Sequence, residues 1–329
     1  MHFSLRPGWA SRIVITGTTA VGLSVMGAAP TVEAVASPAE VAGHADAACA
    51  TDAEARVMAG MSGQDPNSLT AKQVRAREQS FQQQVSQARR SGKLGRLAKE
   101  VNYTVRTHVH VITRANGTGG VTPAQVDAQM AVLNAGYDGT TSANSVDTHF
   151  RFELTSLDYT ANDDWYDWHW LDNTDDIAAK KALHVGGWRD LNIYVTDFNP
   201  PGLLGYATFP QSVPKKRDGV VVLNESLPGG SAEPYNEGDT LTHEVGHWLN
   251  LYHSFQNGCD YPGDAVSDTP YQDDGDNIFF CEESDDTCPQ PGTDPVHNFM
   301  SYGDDPCLDE FTGGQADRML LSWQVLRKH

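Results

Sequence analysis

The sequence predicts a mixed α/β domain, a twisted sheet with an active-site helix, followed by an irregular, disulfide-linked C-terminal subdomain. Three observations predict it. From about residue 101 to 223, runs of period-two alternation interleave with helical patterns. The stretch His243-Glu244-Val245-Gly246-His247 then falls on a helix with an apolar stripe of Leu241, Val245, Trp248 and Leu249. Beyond His253 regular patterning thins out, and Cys259, Cys281, Cys288 and Cys307 cluster.

The helix carries the chemistry. Histidines four apart share one helical face, so the rings of His243 and His247 can converge on one metal ion. Asn236 is the expected N-cap, with Asp239 in the first turn. The helix should stop at Asn250, because Asn readily takes the left-handed conformation that ends helices. The chain can then swing back and bring His253 in as a third nitrogen. Three histidines leave zinc a fourth position for water, the mark of a catalytic site, and Glu244 can reach that water as general base. The competing reading is a helix with surface histidines and a core Trp; a third histidine six residues on disfavours it.

The elements before the helix follow in order. Residues 103–112 alternate and read as a strand, with His108 and His110 on one face in structural roles. Thr122-Pro123 opens a helix to about Ala135. A strand over 150–157, a helix over 176–183 and a strand over 191–195 come next, then strands over 204–209 and 219–223. After the zinc helix, residues 256–311 hold many acids and no Lys or Arg. Such a run reads as solvated loop, but 263–270 clusters Asp264, Asp268 and Thr269 in turn-forming sequence that suits calcium. Thr312-Gly313-Gly314-Gln315 is a capping box for a last amphipathic helix through Leu326.

The ends and the charge bound the rest. Among 329 residues the formal net charge is −20, which argues against nucleic acid and anionic membrane surfaces as partners. Arg6 and Arg12 precede an apolar run over 13–29 and small residues at Ala34-Val35-Ala36, so residues 1–36 read as an export signal rather than a membrane anchor. Residues 37–99, rich in Ala, Gln, Ser and Arg, read as a pro-segment with one polar helix over 68–90 and an exposed basic linker at 89–93. The zinc domain then covers 100–329, with subdomains of about 100–252 and 253–329. A secreted monomer is expected. Four clustered cysteines in an exported protein suggest two disulfides, with three possible pairings. Cys49 stands alone, either incidental or a thiolate that fills the open zinc position and keeps the precursor latent.

These motifs carry a resemblance. The zinc motif, His297-Asn298-Phe299-Met300-Ser301-Tyr302 and the cysteines resemble the metzincin zinc endopeptidases, and within them the pappalysin family, especially small secreted members. Gly205-Tyr206-Ala207-Thr208-Phe209-Pro210, Asp218-Gly219-Val220-Val221, Tyr235-Asn236 and Phe311-Thr312-Gly313-Gly314-Gln315 extend the match over about 103–319. The resemblance implies Met300 as a Met-turn under the histidines and Tyr302 as a tyrosine that steadies the oxyanion. It implies the pairings Cys259–Cys288 and Cys281–Cys307, and structural calcium at Asp264, Asp268 and Thr269. Cys49-Ala50-Thr51 is similar to the family's Cys-Gly-Thr, which favours the latency switch. Asn250 departs from the family's usual Gly, at a cost of about 1 kcal/mol.

The expected function is peptide-bond hydrolysis by metal-activated water, with Glu244 as general base and then acid, and the edge strand at 204–209 aligning the substrate. Protein or peptide substrates and the chain's own pro-segment are the expected partners. The rival readings are a catalytically weakened binding module and a zinc-stabilised structural domain.

Overall fold

In a computed structural model of the protein, the described residues are 53–59, 68–94 and 102–327. The export signal expected over 1–36 and Cys49 lie outside them.

In chain order the elements are β1 (Ala53–Val57), α1 (Ala71–Arg90), β2 (Tyr103–Thr113), α2 (Pro123–Asp138), β3 (Phe150–Ala161), α3 (Asp163–Tyr166), β4 (Asp167–His169), α4 (Thr174–Leu183), β5 (Asp190–Asn199), β6 (Leu203–Thr208), β7 (Val220–Leu223), α5 (Asp239–Trp248) and α6 (Gly313–Val325). Helices α1, α2 and α6 each begin at a threonine whose hydroxyl accepts the N–H of a Gln three residues on. The three Gln side chains reach back to the cap nitrogen, completing capping boxes. Asn250 has φ 84°, the left-handed turn expected of it.

The main sheet has the order β1–β6–β7–β5–β2–β3, with β4 added parallel to β5. β3, β2, β5 and β7 run parallel, and β6 is antiparallel to β7. Alternation along the buried strands separates two cores. Leu191, Ile193, Val195, Val220 and Val222 face α2, α5 and α6, while Tyr194, Phe198, Val221 and Leu223 face the side covered by α3 and α4. Both faces are covered, which is why Val220–Leu223 is apolar throughout. His108 and His110 lie buried on β2. His108 Nδ1 lies 2.7 Å from Ser156 Oγ, and His110 bridges Asp158 and Asn192.

Two features before residue 100 go beyond the sequence reading. Residues 53–57 form a strand, β1, antiparallel to β6. Nothing in Ala-Glu-Ala-Arg-Val alone marks a strand; it becomes one because β6 presents an unpaired edge. Helix α1, expected as one polar helix over 68–90, also carries a packed face. Its Val74 packs with Phe209 and Tyr252, and its Phe81 and Val85 pack with Val325 and Leu326. Glu78 also pairs with Arg318 of α6.

The C-terminal part is held by the disulfides Cys259–Cys288 and Cys281–Cys307. These are the two pairings the resemblance implied. Among the described residues no helix is long and apolar enough to cross a membrane.

Candidate active site

The site is built on α5, all ten of whose residues are buried. Its N-terminus is not capped by Asn236, whose side-chain amide donates instead to Gly230 O. Gly238 leads into the helix at φ 106°, and the acceptor comes from far along the chain. Asp305 Oδ2 accepts the backbone N–H groups of Glu237 at 2.8 Å and Gly238 at 3.0 Å. A carboxylate here also meets the positive end of the helix dipole. The helix ends at Trp248, with Leu249 as its C-cap and Asn250 next in the left-handed turn expected of it. Leu251 N–H then returns to Gly246 O, and Arg318 Nε holds Asn250 O at 2.7 Å. That closed turn brings His253 back to the helix.

The three histidines converge. His247 Nε2 lies 3.0 Å from His243 Nε2 and 3.1 Å from His253 Nε2. The opposite nitrogens of two rings are fixed: His243 Nδ1 donates to Phe299 O at 2.7 Å and His247 Nδ1 to Leu251 O at 2.8 Å. A carbonyl only accepts, so those Nδ1 atoms carry the protons and both Nε2 lone pairs face inward. Burial holds all three rings neutral, with His247 lowered to about 3 and His243 and His253 well below the usual histidine value. Neutral imidazoles, two of them with inward lone pairs, fit zinc.

The surroundings fix this geometry. A Cβ on Gly246 would lie 2.3 Å from Met300 Sδ, so glycine lets the fully buried Met300 sit directly under the helix. Tyr302 packs its ring on His253 and His243, with centroids at 4.7 and 5.9 Å. A Cβ on Gly205 would lie 2.9 Å from Glu244 Cγ, so the bare backbone of β6 can approach the glutamate.

The comparisons with known proteins agree with this geometry. The chain is 41% identical over 230 residues to an extracellular metalloprotease of Arthroderma gypseum, covering 68% of this chain and 73% of that one. A model of the pappalysin family, Peptidase_M43, described as pregnancy-associated plasma protein-A, matches residues 175–323. The chain belongs to the pappalysin family of metallopeptidases. A second relative of this family, an extracellular metalloprotease of Colletotrichum graminicola, is 41% identical over 249 residues, 73% of this chain and 82% of its own. Among solved structures, a promirolysin E225A mutant from Tannerella forsythia matches with TM-score 0.60 and 26% identity, covering 78% of this chain and 92% of that one. Mature mirolysin in complex with a cleaved peptide matches with TM-score 0.56 and 26% identity, over 69% and 96%. The protein is thus a metalloendopeptidase of metzincin fold.

In this pappalysin-family chain the cleft holds a segment of the chain itself. β1 lies along β6, with Ala55 opposite Tyr206 and Arg56 opposite Gly205. The Arg56 backbone N–H donates to Glu244 Oε1 at 3.0 Å. Its side chain is fully buried, with Nη1 at 3.0 Å from Asp305 Oδ1 and 3.1 Å from Thr240 Oγ1, and Nη2 at 2.6 Å from Gly303 O. The Tyr235 ring lies 5.3 Å from the guanidinium. Sequence reasoning missed Arg56, Thr240 and Asp305. Asp305 was one acid among many in a stretch without Lys or Arg, and no local spacing singled it out.

The expected calcium residues differ in burial and partners. Asp264 is buried, its pKa pushed up to about 7 by desolvation, and the Thr269 hydroxyl lies beside it. Neither Asp264 Oδ2 nor Thr269 Oγ1 makes a well-formed hydrogen bond to a described residue. Asp268 is exposed and serves the last helix, accepting from Thr312 Oγ1 at 2.9 Å and Gly314 N–H at 2.7 Å.

Proposed function

We propose that this protein is a secreted zinc endopeptidase that cuts extended peptides on the amino side of basic residues and is made as a latent precursor. One observation carries the reading. Glu244, next to three convergent imidazoles, accepts the backbone N–H of an extended strand whose arginine fills a buried acidic pocket. A substrate would lie where β1 lies, adding a strand to β6.

Zinc held by His243, His247 and His253 would supply Lewis acidity, polarising the scissile carbonyl and acidifying a water molecule. Glu244 takes the proton of the attacking water and delivers it to the leaving amine, the nitrogen position that Arg56 N now occupies. Tyr302 is the residue to donate to the carbonyl oxygen as negative charge develops. Asp305 sets the preference, since its buried carboxylate needs a cation opposite it. Calcium at Asp264 and Thr269 would hold the loop after the zinc helix, where a buried carboxyl and a hydroxyl lie side by side. Latency follows from β1 and α1 covering the cleft and its flank, with the Cys49 thiolate as a further zinc ligand.

The test is cleavage of a diverse peptide mixture by the processed enzyme, with and without chelator. Cuts before Arg or Lys that stop on chelation support the reading. Asp305→Asn, which still caps α5 but loses the charge, should erase the preference for a basic residue. Absence of any chelator-sensitive cleavage would overturn the function, and unchanged preference in Asp305→Asn would overturn the pocket.

A further inference from the structure

We infer that the Cys281–Cys307 disulfide is a thiol-exchange site, opened at Cys281 by a low-molecular-weight thiol while His297 receives the Cys307 thiolate. Exchange needs one accessible sulfur and a leaving sulfur able to carry negative charge. Cys281 is exposed and Cys307 is buried, so attack has one direction. A thiolate buried in apolar surroundings is ordinarily a poor leaving group. Here His297 Nδ1 lies 3.7 Å from Cys307 Sγ. The same nitrogen donates to the Cys307 carbonyl oxygen at 2.7 Å, and Nε2 lies 3.5 Å from Glu283 Oε1. The bond to that carbonyl, and then the carboxylates of Asp309 and Glu283, hold the His297 pKa above its ordinary 6.5 against partial burial. Glu310 adds a further carboxylate facing the ring. Positive charge is thus favoured beside the sulfur that must leave.

The other disulfide is the internal comparison. Cys259 Sγ faces the Thr287 carbonyl oxygen at 3.8 Å, and among the described residues Cys259 and Cys288 join no histidine in a cluster of this kind. Cys307 Sγ also has a carbonyl oxygen nearby, Val296 O at 3.5 Å, but the full charge of an imidazolium outweighs a carbonyl's partial one. The two linked cysteines are 26 positions apart, and Met300, Tyr302 and Asp305 lie between them. Opening this bond therefore unties the segment that underlies the zinc helix and caps its start, while His243, His247 and His253 lie outside the loop.

The step balances with one thiol. Its thiolate attacks Cys281 Sγ as the sulfur–sulfur bond to Cys307 breaks. A mixed disulfide forms at Cys281, Cys307 leaves with the electron pair, and the attacking thiol's proton goes to solvent. The incoming sulfur is oxidised and Cys307 is reduced.

The test incubates the full chain with millimolar reduced glutathione, blocks free thiols with iodoacetamide and maps the modified peptides by mass spectrometry. Glutathione on Cys281 with an alkylated Cys307 should appear at least about tenfold faster than opening of Cys259–Cys288. His297→Asn should slow the first reaction at least about tenfold and leave the second unchanged. Glu283→Gln, a change at an exposed position, should slow the first about two- to threefold. Amide exchange over 297–306 should rise in the glutathionylated chain. Equal rates at the two disulfides, glutathione on Cys307 in place of Cys281, unchanged amide exchange, or a folded His297→Asn that reacts at the wild-type rate would each overturn the inference. If His297→Asn does not fold, a wild-type rate in Glu283→Gln overturns it. None of these readouts needs turnover, so the endopeptidase reading stands or falls separately.

Discussion

Met300 Sδ occupies the space that a side chain on Gly246 would need, 2.3 Å from its would-be Cβ. The helix of the zinc motif and the turn at Phe299-Met300 are thereby locked at one separation. The same turn supplies the Phe299 carbonyl that orients His243. Gly246→Ala gains up to about 1 kcal/mol in helix propensity. Overpacking a fully buried contact costs about 1–3 kcal/mol, so the loss should win. We expect a lower melting temperature together with weaker zinc retention. A variant as stable as wild type would show that Met300 has room to move.

Glu244→Gln keeps the shape and the hydrogen-bond acceptor but removes the base. The processed variant should bind zinc normally and turn over at least about 100-fold more slowly. Normal turnover in a zinc-loaded variant would take Glu244 out of the proton transfers.

Asp239 gives a pH signature. Burial, and then the neighbouring Asp305, push its pKa up to about 8 from an ordinary 3.8. The folded chain therefore keeps a proton that the unfolded chain releases as pH rises from about 4 to about 8. Stability contributed by the neutral carboxyl is present at low pH and is lost across that window, with a slope of at most about 1.4 kcal/mol per pH unit. Asp239→Asn should flatten the fall in full-chain stability between these pH values, read from denaturant midpoints. Parallel curves for the two proteins would exclude Asp239 as the source.

Calcium should act on stability before it acts on the zinc centre. A selective calcium chelator should lower the melting temperature while the zinc content stays constant, because Asp264 and Thr269 lie outside the histidine cluster. Asp264→Ala should lose the calcium effect. Asp268→Ala should keep it and instead weaken the start of α6, whose first turn it serves. A melting temperature indifferent to calcium would remove the site.

Latency has two candidate devices, the Arg56 strand and the Cys49 thiol. Arg56→Glu places like charge against Asp305 and should expel β1 from the cleft, since a buried pair broken from one side costs about 3–5 kcal/mol. We expect the Arg56→Glu precursor to cleave added peptides faster than the Cys49→Ala precursor. The reverse order would put latency on the thiol.

Features that depend on short-range geometry are legible in the residues alone. Helical period places His243 and His247 on one face, and Asn250 can take the positive φ that returns His253, so the metal centre is legible within eleven residues. Alternation in residues 191–195 and 219–223 likewise marked the strands that carry the sheet, and the capping box at Thr312 marked the last helix. The disulfide pairing and the place of Met300 came from likeness to a family. What lies along β6 and against Glu244 is legible only in the folded chain. Arg56 and Asp305 are 249 positions apart, and Arg56 and Glu244 are 188 apart. No periodicity spans such distances, and a lone Arg in a polar segment or one Asp among many carries no local mark. Asp305 acquires its role because folding buries it between the N-terminus of α5 and a cation, where an unpaired charge would be costly. The same holds for the contact between Asp268 and α6, which lie 46 positions apart at Gly314: packing brings the carboxylate to the start of the helix, whose backbone N–H groups need an acceptor.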